Sequence, residues 1–364
     1  MGQTLRYGWT TGACATAATT AAYTALLTSE FPDPVEVLLP KGKQPAFALA
    51  SEGRTGEAAY AGVVKDAGDD PDVTHGALIV ATVRHGSPGS GIRFVAGPGV
   101  GTVTRPGLPL DVGEPAINPV PRRLMSEAVE RVAAEHGGSG DVVVEISIPH
   151  GEEMARHTWN PRLGIVDGLS VLGTTGVVVP YSCSAWIDSI RRGIDVARAL
   201  DVRHVAGSTG STSEQVVTEL YGLDETALLD MGDFAGAVLK YLRKHPVPRL
   251  SIAGGFAKMS KLAAGYLDLH SQRSQVNFGL LASIARDAGY EHLAEPMSNA
   301  NTAVHALDIA SADGLDLGGF VAERARRTAL DVLGDAPVDV DIVVIDRSGT
   351  IVGRAPDPGA PSST

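Results

Sequence analysis

The sequence predicts an α+β domain followed by an α/β domain. In residues 1–150, short β-type runs follow one another across Gly, Pro and Asp punctuation, the pattern of strands joined by tight turns rather than helical crossovers. In residues 151–354, apolar strand-like runs alternate with helix-like segments, which indicates a parallel sheet with helices packed on it. A length of 364 residues accommodates two such domains with ample core.

The first domain opens with an Ala- and Thr-rich run, 13–27, read as a helix of the mature chain: it lacks the Leu-rich centre and Lys-rich start of an export leader. Strand-like runs follow at 35–39, 62–64, 77–83 and 92–95. A helix is predicted over 119–135, because Leu124, Ala128 and Val132 recur on one face and Gly137 and Gly138 end it. The run 142–148 closes this half as a strand. In the second half, a helix over 185–200 leads to a strand ending near Ala206, the turn GSTG at 207–210 and a helix over 212–220. A short apolar run at 227–229, a helix over 234–243, a strand at 250–253 and a helix from Gly254 and Gly255 through Leu262 come next. Residues 355–364, rich in Pro, Gly and Ser, read as a flexible tail.

Composition excludes several function classes. Charged residues make up 20% of the chain and the formal net charge is −12, so the long-range field repels nucleic acid and anionic membranes. No apolar run is long enough to span a bilayer. Cys14 and Cys183 form no C-x-x-C pair, no His/Cys cluster has zinc-site spacing, and the expected location is the reducing cytoplasm. No protein metal site is expected, and a homo-oligomer is compatible with the sequence.

Three small-residue turns carry the candidate chemistry. The segment Gly207, Ser208, Thr209, Gly210 follows a strand and opens a helix, the setting in which backbone approaches a nucleotide at a helix N-terminus. Asp230 and Asp233 follow the next apolar run, where a Rossmann-like site holds the acid that accepts from ribose hydroxyls. The full G-x-G-x-x-G is absent, which suits a nucleoside without phosphates; the same segment also reads as a tight turn capped by Ser or Thr. Gly254 and Gly255 precede Lys258 and Lys261, which share a helix face and read equally as carboxylate receivers or as a solvated lysine face. Thr174 and Thr175, between Gly173 and Gly176, echo Thr10, Thr11 and Gly12; both turns suit a bulky, flat, carboxylate-bearing ligand or simply tight packing. The four carboxylates within 65–72 lack the EF-hand spacing and read as a local turn, with Asp66 the candidate proton acceptor. His75 and His270 are the histidines to test.

In order along the chain, LRYGWTTGACATAA (5–18), GVVKDAGDDPDVTHG (62–76), GPGVGTVTRPGL (97–108), TWNPRLGI (158–165), LGTTGVVVP (172–180) and KMSKLAAG (258–265) together resemble the CbiD family, the cobalt-precorrin-5B C1-methyltransferases of cobalamin biosynthesis. The resemblance implies methyl transfer from S-adenosylmethionine to C1 of a ring-contracted tetrapyrrole, giving cobalt-precorrin-6A, with the cobalt carried by the substrate. It implies a CbiD-like two-domain architecture, the first domain contacting the corrinoid and the second, Rossmann-like, holding the methyl donor. Arg6, Lys65, Arg105, Arg162 and Lys258 are then the expected receivers of substrate carboxylates, beside Thr10, Thr11, Gly12, Thr174 and Thr175. The donor falls to Gly207–Gly210, Asp230 and Asp233. A nicotinamide-dependent oxidoreductase and a non-catalytic tetrapyrrole carrier are the rival readings.

Overall fold

A computed structural model describes residues 5–356 and divides the chain between Cys183 and Ser184. The sequence reading places the division at 150–151. The difference has a clear cause: strands beyond residue 150 return to pair with strands of the first unit.

The first unit begins with β1 (Gly8–Trp9) and α1 (Thr11–Thr28). Thr10 caps α1, its hydroxyl accepting from the Ala13 N–H at 3.2 Å, and Ser29 ends the helix in the left-handed region. The helix is buried along nearly its whole length, which small side chains permit. Four of its threonines hide their polarity locally. Thr16, Thr20, Thr24 and Thr28 each donate to the carbonyl four residues back, at 2.8–2.9 Å.

The strands β2 (Val35–Glu36), β3 (Ala46–Phe47), β4 (Ser51–Thr55), β5 (Ala58–Val64), β6 (Leu78–His85), β7 (Ile92–Ala96), β8 (Gly99–Val100) and β9 (Thr102–Val103) precede α2 (Pro119–His136) and β10 (Val142–Ser147). The central sheet has the order β4-β5-β6-β10-β7. The expected meander holds for β4, β5 and β6, which pair antiparallel; β10, however, inserts between β6 and β7 and runs parallel to β7. That parallel pair requires a crossover, and α2 supplies it. Both α1 and α2 belong to one core with the sheet, including Tyr23, Met125, Ile79 and Ile146. The unit ends with α3 (Gly151–Ala155), β11 (Ile165–Val166), β12 (Gly168–Leu169) and β13 (Val177–Val178). The three strands β11, β12 and β13 pair with β9, β8 and β1 respectively.

The second unit contains α4 (Cys183–Ala199), β14 (His204–Ser208), α5 (Ser211–Tyr221), β15 (Leu228–Leu229), α6 (Ala235–Leu242), β16 (Arg249–Gly255) and α7 (Phe256–Ala263). Helices α8 (Phe278–Asp287), α9 (Glu291–Ser298), α10 (Ala303–Ala312) and α11 (Leu317–Leu333) lead to β17 (Asp339–Ile345) and β18 (Ile351–Ala355). The sheet order is β15-β14-β16-β17-β18; the first four strands are parallel and β18 is antiparallel. Ala206, Ala253, Val343 and Ile345 pack with Val217 of α5 on one face. Val205, Ile252 and Ile342 share the other core with Leu239, Leu262 and Ala325 of α6, α7 and α11. Helices therefore cover both faces, and the strand order reverses between β14 and β16. In such sheets the crevice at the carboxyl ends of the two strands flanking the reversal is the usual ligand position.

Ala355 lies in β18, so the expected tail loses its first residue to the sheet; the rest of that expectation, from residue 357 onward, lies outside the described residues. Among the described residues, no helix is long and apolar enough to cross a membrane.

Candidate functional site

In the first unit, the N-terminal motif and the Asp-rich loop are interlocked. The Trp9 N–H donates to the Asp66 carbonyl at 2.7 Å, and the Asp69 N–H donates to the Arg6 carbonyl at 3.0 Å. The approach is so close that a Cβ on Gly8 would stand 2.0 Å from the Ala67 carbonyl carbon, and one on Gly68 (φ +69°) 2.2 Å from the Arg6 carbonyl oxygen. The Asp66 carboxylate forms an ion pair with the Arg6 guanidinium and accepts from the Gly68 N–H at 2.9 Å. The Arg6 hydrogen bond, then that of Gly68, hold the Asp66 carboxyl below its ordinary range. A carboxylate so held is a weaker proton acceptor, and in this geometry Asp66 braces Arg6 and the Gly68 turn.

Lys65 also departs from expectation. Its side chain is 1% exposed, and its ammonium lies 2.5 Å from Asp72. It braces the loop from within and cannot meet a substrate carboxylate from solvent. His75, at the far end of the same loop, is tied to its start, its Nδ1 accepting from the Ala67 N–H at 3.1 Å.

The turn at Thr10, Thr11 and Gly12 is closed by the chain itself. The Gly12 N–H donates to the Leu172 carbonyl at 2.9 Å, the Thr10 N–H to the Gly176 carbonyl at 3.0 Å, and the Ala13 N–H to the Thr10 hydroxyl. Gly173 (φ +130°) would place a Cβ 2.3 Å from Thr10 Oγ1. The two echoing turns thus pack on each other, and Thr10 and Gly12 serve that packing instead of receiving a carboxylate. Thr11 is buried, whereas Thr174 is exposed and Thr175 half-buried.

Arg105 and Arg162 are brought together, the Arg105 guanidinium donating to the Arg162 carbonyl at 3.2 Å and Arg162 lying over the Trp159 ring. Tyr7, Leu172, Val179 and Tyr181, large apolar side chains on the interlocked segments, are exposed. The sequence reading does not name these four, although exposed aromatic residues beside cationic ones suit a flat ligand with acidic arms. Cys14 is buried, and burial pushes its thiol up to about 12, which leaves it inert.

In the second unit, the turn at Gly207–Gly210 leaves the carboxyl end of β14 and Gly210 caps α5. The Thr209 N–H donates to the Ala253 carbonyl at 3.0 Å, which ties the turn to β16. Gly254 is required there, since a Cβ would meet Thr209 Oγ1 and Met259 Cε at 2.7 Å, whereas one on Gly255 would meet nothing. The Ser208 carbonyl accepts from the Gly232 N–H at 3.0 Å and places the Asp230–Asp233 segment beside the turn. Asp230 follows β15 directly and its carbonyl accepts from Trp186 Nε1.

Lys258 belongs to this second site. Its ammonium donates to the Thr209 carbonyl at 3.0 Å and lies 3.0 Å from Asp233 Oδ1. The contact with Asp233 satisfies ion-pair distance without hydrogen-bond alignment. Three buried side-chain polar atoms among the described residues have no hydrogen-bond partner: Thr19 Oγ1, Ser208 Oγ and Asp233 Oδ1. Two of the three flank this one turn. Lys261, by contrast, is buried and donates to the Leu269 carbonyl at 2.8 Å; burial lowers its ammonium's affinity for a proton.

Together these features define a mixed α/β protein whose second unit places a glycine-containing turn at the reversal point of its parallel sheet. Comparison with known proteins names the lineage. The CbiD family model matches residues 1–180, and the model for the CbiD C-terminal domain matches residues 268–356. A cobalt-precorrin-5B C(1)-methyltransferase of Brucella anthropi is 61% identical over 351 residues, covering 96% of this chain and 95% of that one. The protein of the same name in Paramagnetospirillum magneticum is 61% identical over 354 residues, covering 97% and 99%. A crystal structure of the cobalamin biosynthesis protein CbiD from Archaeoglobus fulgidus is 28% identical, covering 78% of this chain and 85% of that one, with a TM-score of 0.40. The chain belongs to the CbiD family.

Proposed function

We propose that the chain transfers a methyl group from S-adenosylmethionine to C1 of cobalt-precorrin-5B, giving cobalt-precorrin-6A in cobalamin biosynthesis. The observation that carries this reading is 61% identity over nearly the full length to proteins named for that activity. We read the second unit as Rossmann-like, on its parallel strands, two-faced helix cover and order reversal at β14 and β16.

The donor is assigned to Gly207–Gly210 and Asp230. The residues fit a nucleoside: a backbone turn packed closely on Gly254, a nearby acid for the ribose hydroxyls, and the unpartnered Ser208 hydroxyl. When bound, S-adenosylmethionine supplies an electrophilic methyl on a sulfonium. The chain's own contribution is then alignment and exclusion of water, which needs no strong acid or base. On the substrate side, Arg6, Arg105, Arg162, Thr174 and Thr175 are the groups proposed to hold the tetrapyrrole's carboxylates, and Tyr7 and Tyr181 its flat face. Asp66 acts by positioning Arg6. The cobalt belongs to the substrate, and the acidic, two-cysteine chain is assigned to the cytoplasm.

Incubation of the purified chain with methyl-labelled S-adenosylmethionine and cobalt-precorrin-5B tests the reading, label at C1 being the expected outcome. No label at C1 alongside an active relative, or binding of NADH in place of S-adenosylhomocysteine, would overturn it. Arg162→Ala is expected to raise the KM for the tetrapyrrole about tenfold, the order of one charge-assisted hydrogen bond, with S-adenosylhomocysteine affinity unchanged. Steady-state kinetics beside calorimetric titration separates the two effects.

A further inference from the structure

The donor reading leaves one arrangement unexplained. At the carboxyl edge of the sheet, an ammonium and a carboxylate stand side by side, Lys258 Nζ and Asp233 Oδ1, 3.0 Å apart. They are not joined as a mutual hydrogen bond. Lys258 directs its bond to the Thr209 carbonyl, and Asp233 Oδ1 is buried without a donor. The Lys258 charge offsets the burial of Asp233 Oδ1, but this oxygen accepts no aligned hydrogen bond and so retains capacity for an N–H or O–H group. An ammonium carries three donors, so Lys258 retains capacity beyond Thr209. The pair is anchored on both sides: the Asp233 carbonyl accepts from the Leu269 N–H at 2.9 Å, and Lys261, one helical turn from Lys258, bonds the same residue's carbonyl.

Ribose hydroxyls could satisfy Asp233, but a neutral diol gives Lys258 no partner of its charge. The other end of the donor does both. An α-amino acid carries an ammonium and a carboxylate one carbon apart, the complement of an adjoining carboxylate and ammonium. We propose that Lys258 and Asp233 form the subsite for the amino-acid end of S-adenosylmethionine, Lys258 receiving its carboxylate and Asp233 its ammonium. The assignment rests on the donor-site reading above. It moves Lys258 from the expected substrate contacts to the donor and Asp233 from ribose to amino acid, and leaves Asp230 as the ribose acid.

The test compares two ligands that share adenosine and a thioether: S-adenosylhomocysteine, with the amino-acid end, and 5′-methylthioadenosine, without it. In the full chain, Lys258→Gln and Asp233→Asn are each expected to weaken S-adenosylhomocysteine binding roughly tenfold or more, as loss of a charge-assisted contact does, and to leave 5′-methylthioadenosine binding unchanged. Gln retains an N–H for the Thr209 carbonyl, so its selective loss reports charge and not collapse of the turn. Equal losses for both ligands, or no loss for either, overturn the subsite while leaving the donor site standing. If the unaltered chain binds neither ligand, the donor site itself fails, and the subsite with it.

Discussion

Gly8→Ala is expected to destabilise the first unit by about 3 kcal/mol, the upper part of the range for forcing atoms into a packed interior. The new Cβ would stand 2.0 Å from the Ala67 carbonyl carbon, 2.4 Å from its oxygen and 2.5 Å from its Cα. All three are backbone atoms, so no side-chain rotation can relieve the contact. The backbone cannot easily withdraw either. Trp9 is bonded to Asp66 on one side, while β1 pairs with β13 on the other, with Gly8 opposite Val178. For a unit of this size the melting temperature should fall by roughly 6–12 °C, at about 2–4 °C per kcal/mol. Gly255→Ala is the control, since its φ of −63° suits any residue and no atom lies within 4 Å of the added carbon. A Gly8→Ala melting temperature within the scatter of that control would refute the interlock. The variant should also lose tetrapyrrole affinity, because Arg6 and the Asp66 loop are positioned by the same crossing, while S-adenosylhomocysteine affinity stays.

What was legible in the sequence follows the range over which each interaction acts. Helix α1 could be read locally, from the Thr10 cap and the small residues behind it, and the β14 turn from a strand, two glycines and a helix start. The stretch 263–354 offers no comparable local pattern, although Asn277, Thr302 and Asp316 each cap a helix there with a side-chain oxygen. Helices α8, α9 and α10 have only eight to ten residues each, and α9 contains Pro296; no long periodic signal builds up over such lengths. The crossover through α2 stayed hidden because pairing between β7 and β10 is decided by partners some fifty residues apart in sequence. The candidate sites divide the same way. Residue type marks a turn after β14, although that strand runs on through Ser208 and leaves only Thr209 and Gly210 to the turn, while Lys65 and Lys258 look alike as surface cations. Only the fold shows that one is buried on Asp72 and the other spans Thr209 and Asp233.

Asp72→Asn is expected to cost about 3 kcal/mol near neutral pH, the lower end of the range for breaking a buried ion pair from one side. The reason is the asymmetry of burial: Lys65 is 1% exposed and Asp72 26%. Removing the carboxylate strands an ammonium that water cannot reach. Lys65→Met leaves instead a carboxylate at the edge of solvent that still accepts from the Thr74 N–H and hydroxyl, each at 2.7 Å, so its cost is expected to be smaller. The same pair sets a pH dependence with a definite sign. Burial alone would raise the Asp72 carboxyl, but the Lys65 charge and hydrogen bond and the two bonds from Thr74 outweigh it and hold it below its ordinary value. A carboxyl lowered by folding adds stability that is fully present above the unfolded value of about 3.9 and is lost as pH falls through the lower folded value. The unaltered chain should therefore lose this increment on acidification below about pH 4, and Asp72→Asn, which has no proton to take up there, should show a flatter acid limb. Denaturant titrations of the two proteins between neutral and acid pH measure the difference directly. Parallel acid limbs would mean that Asp72 carries no special stabilisation, and a larger loss for Lys65→Met than for Asp72→Asn would reverse the assignment of which partner is the buried one.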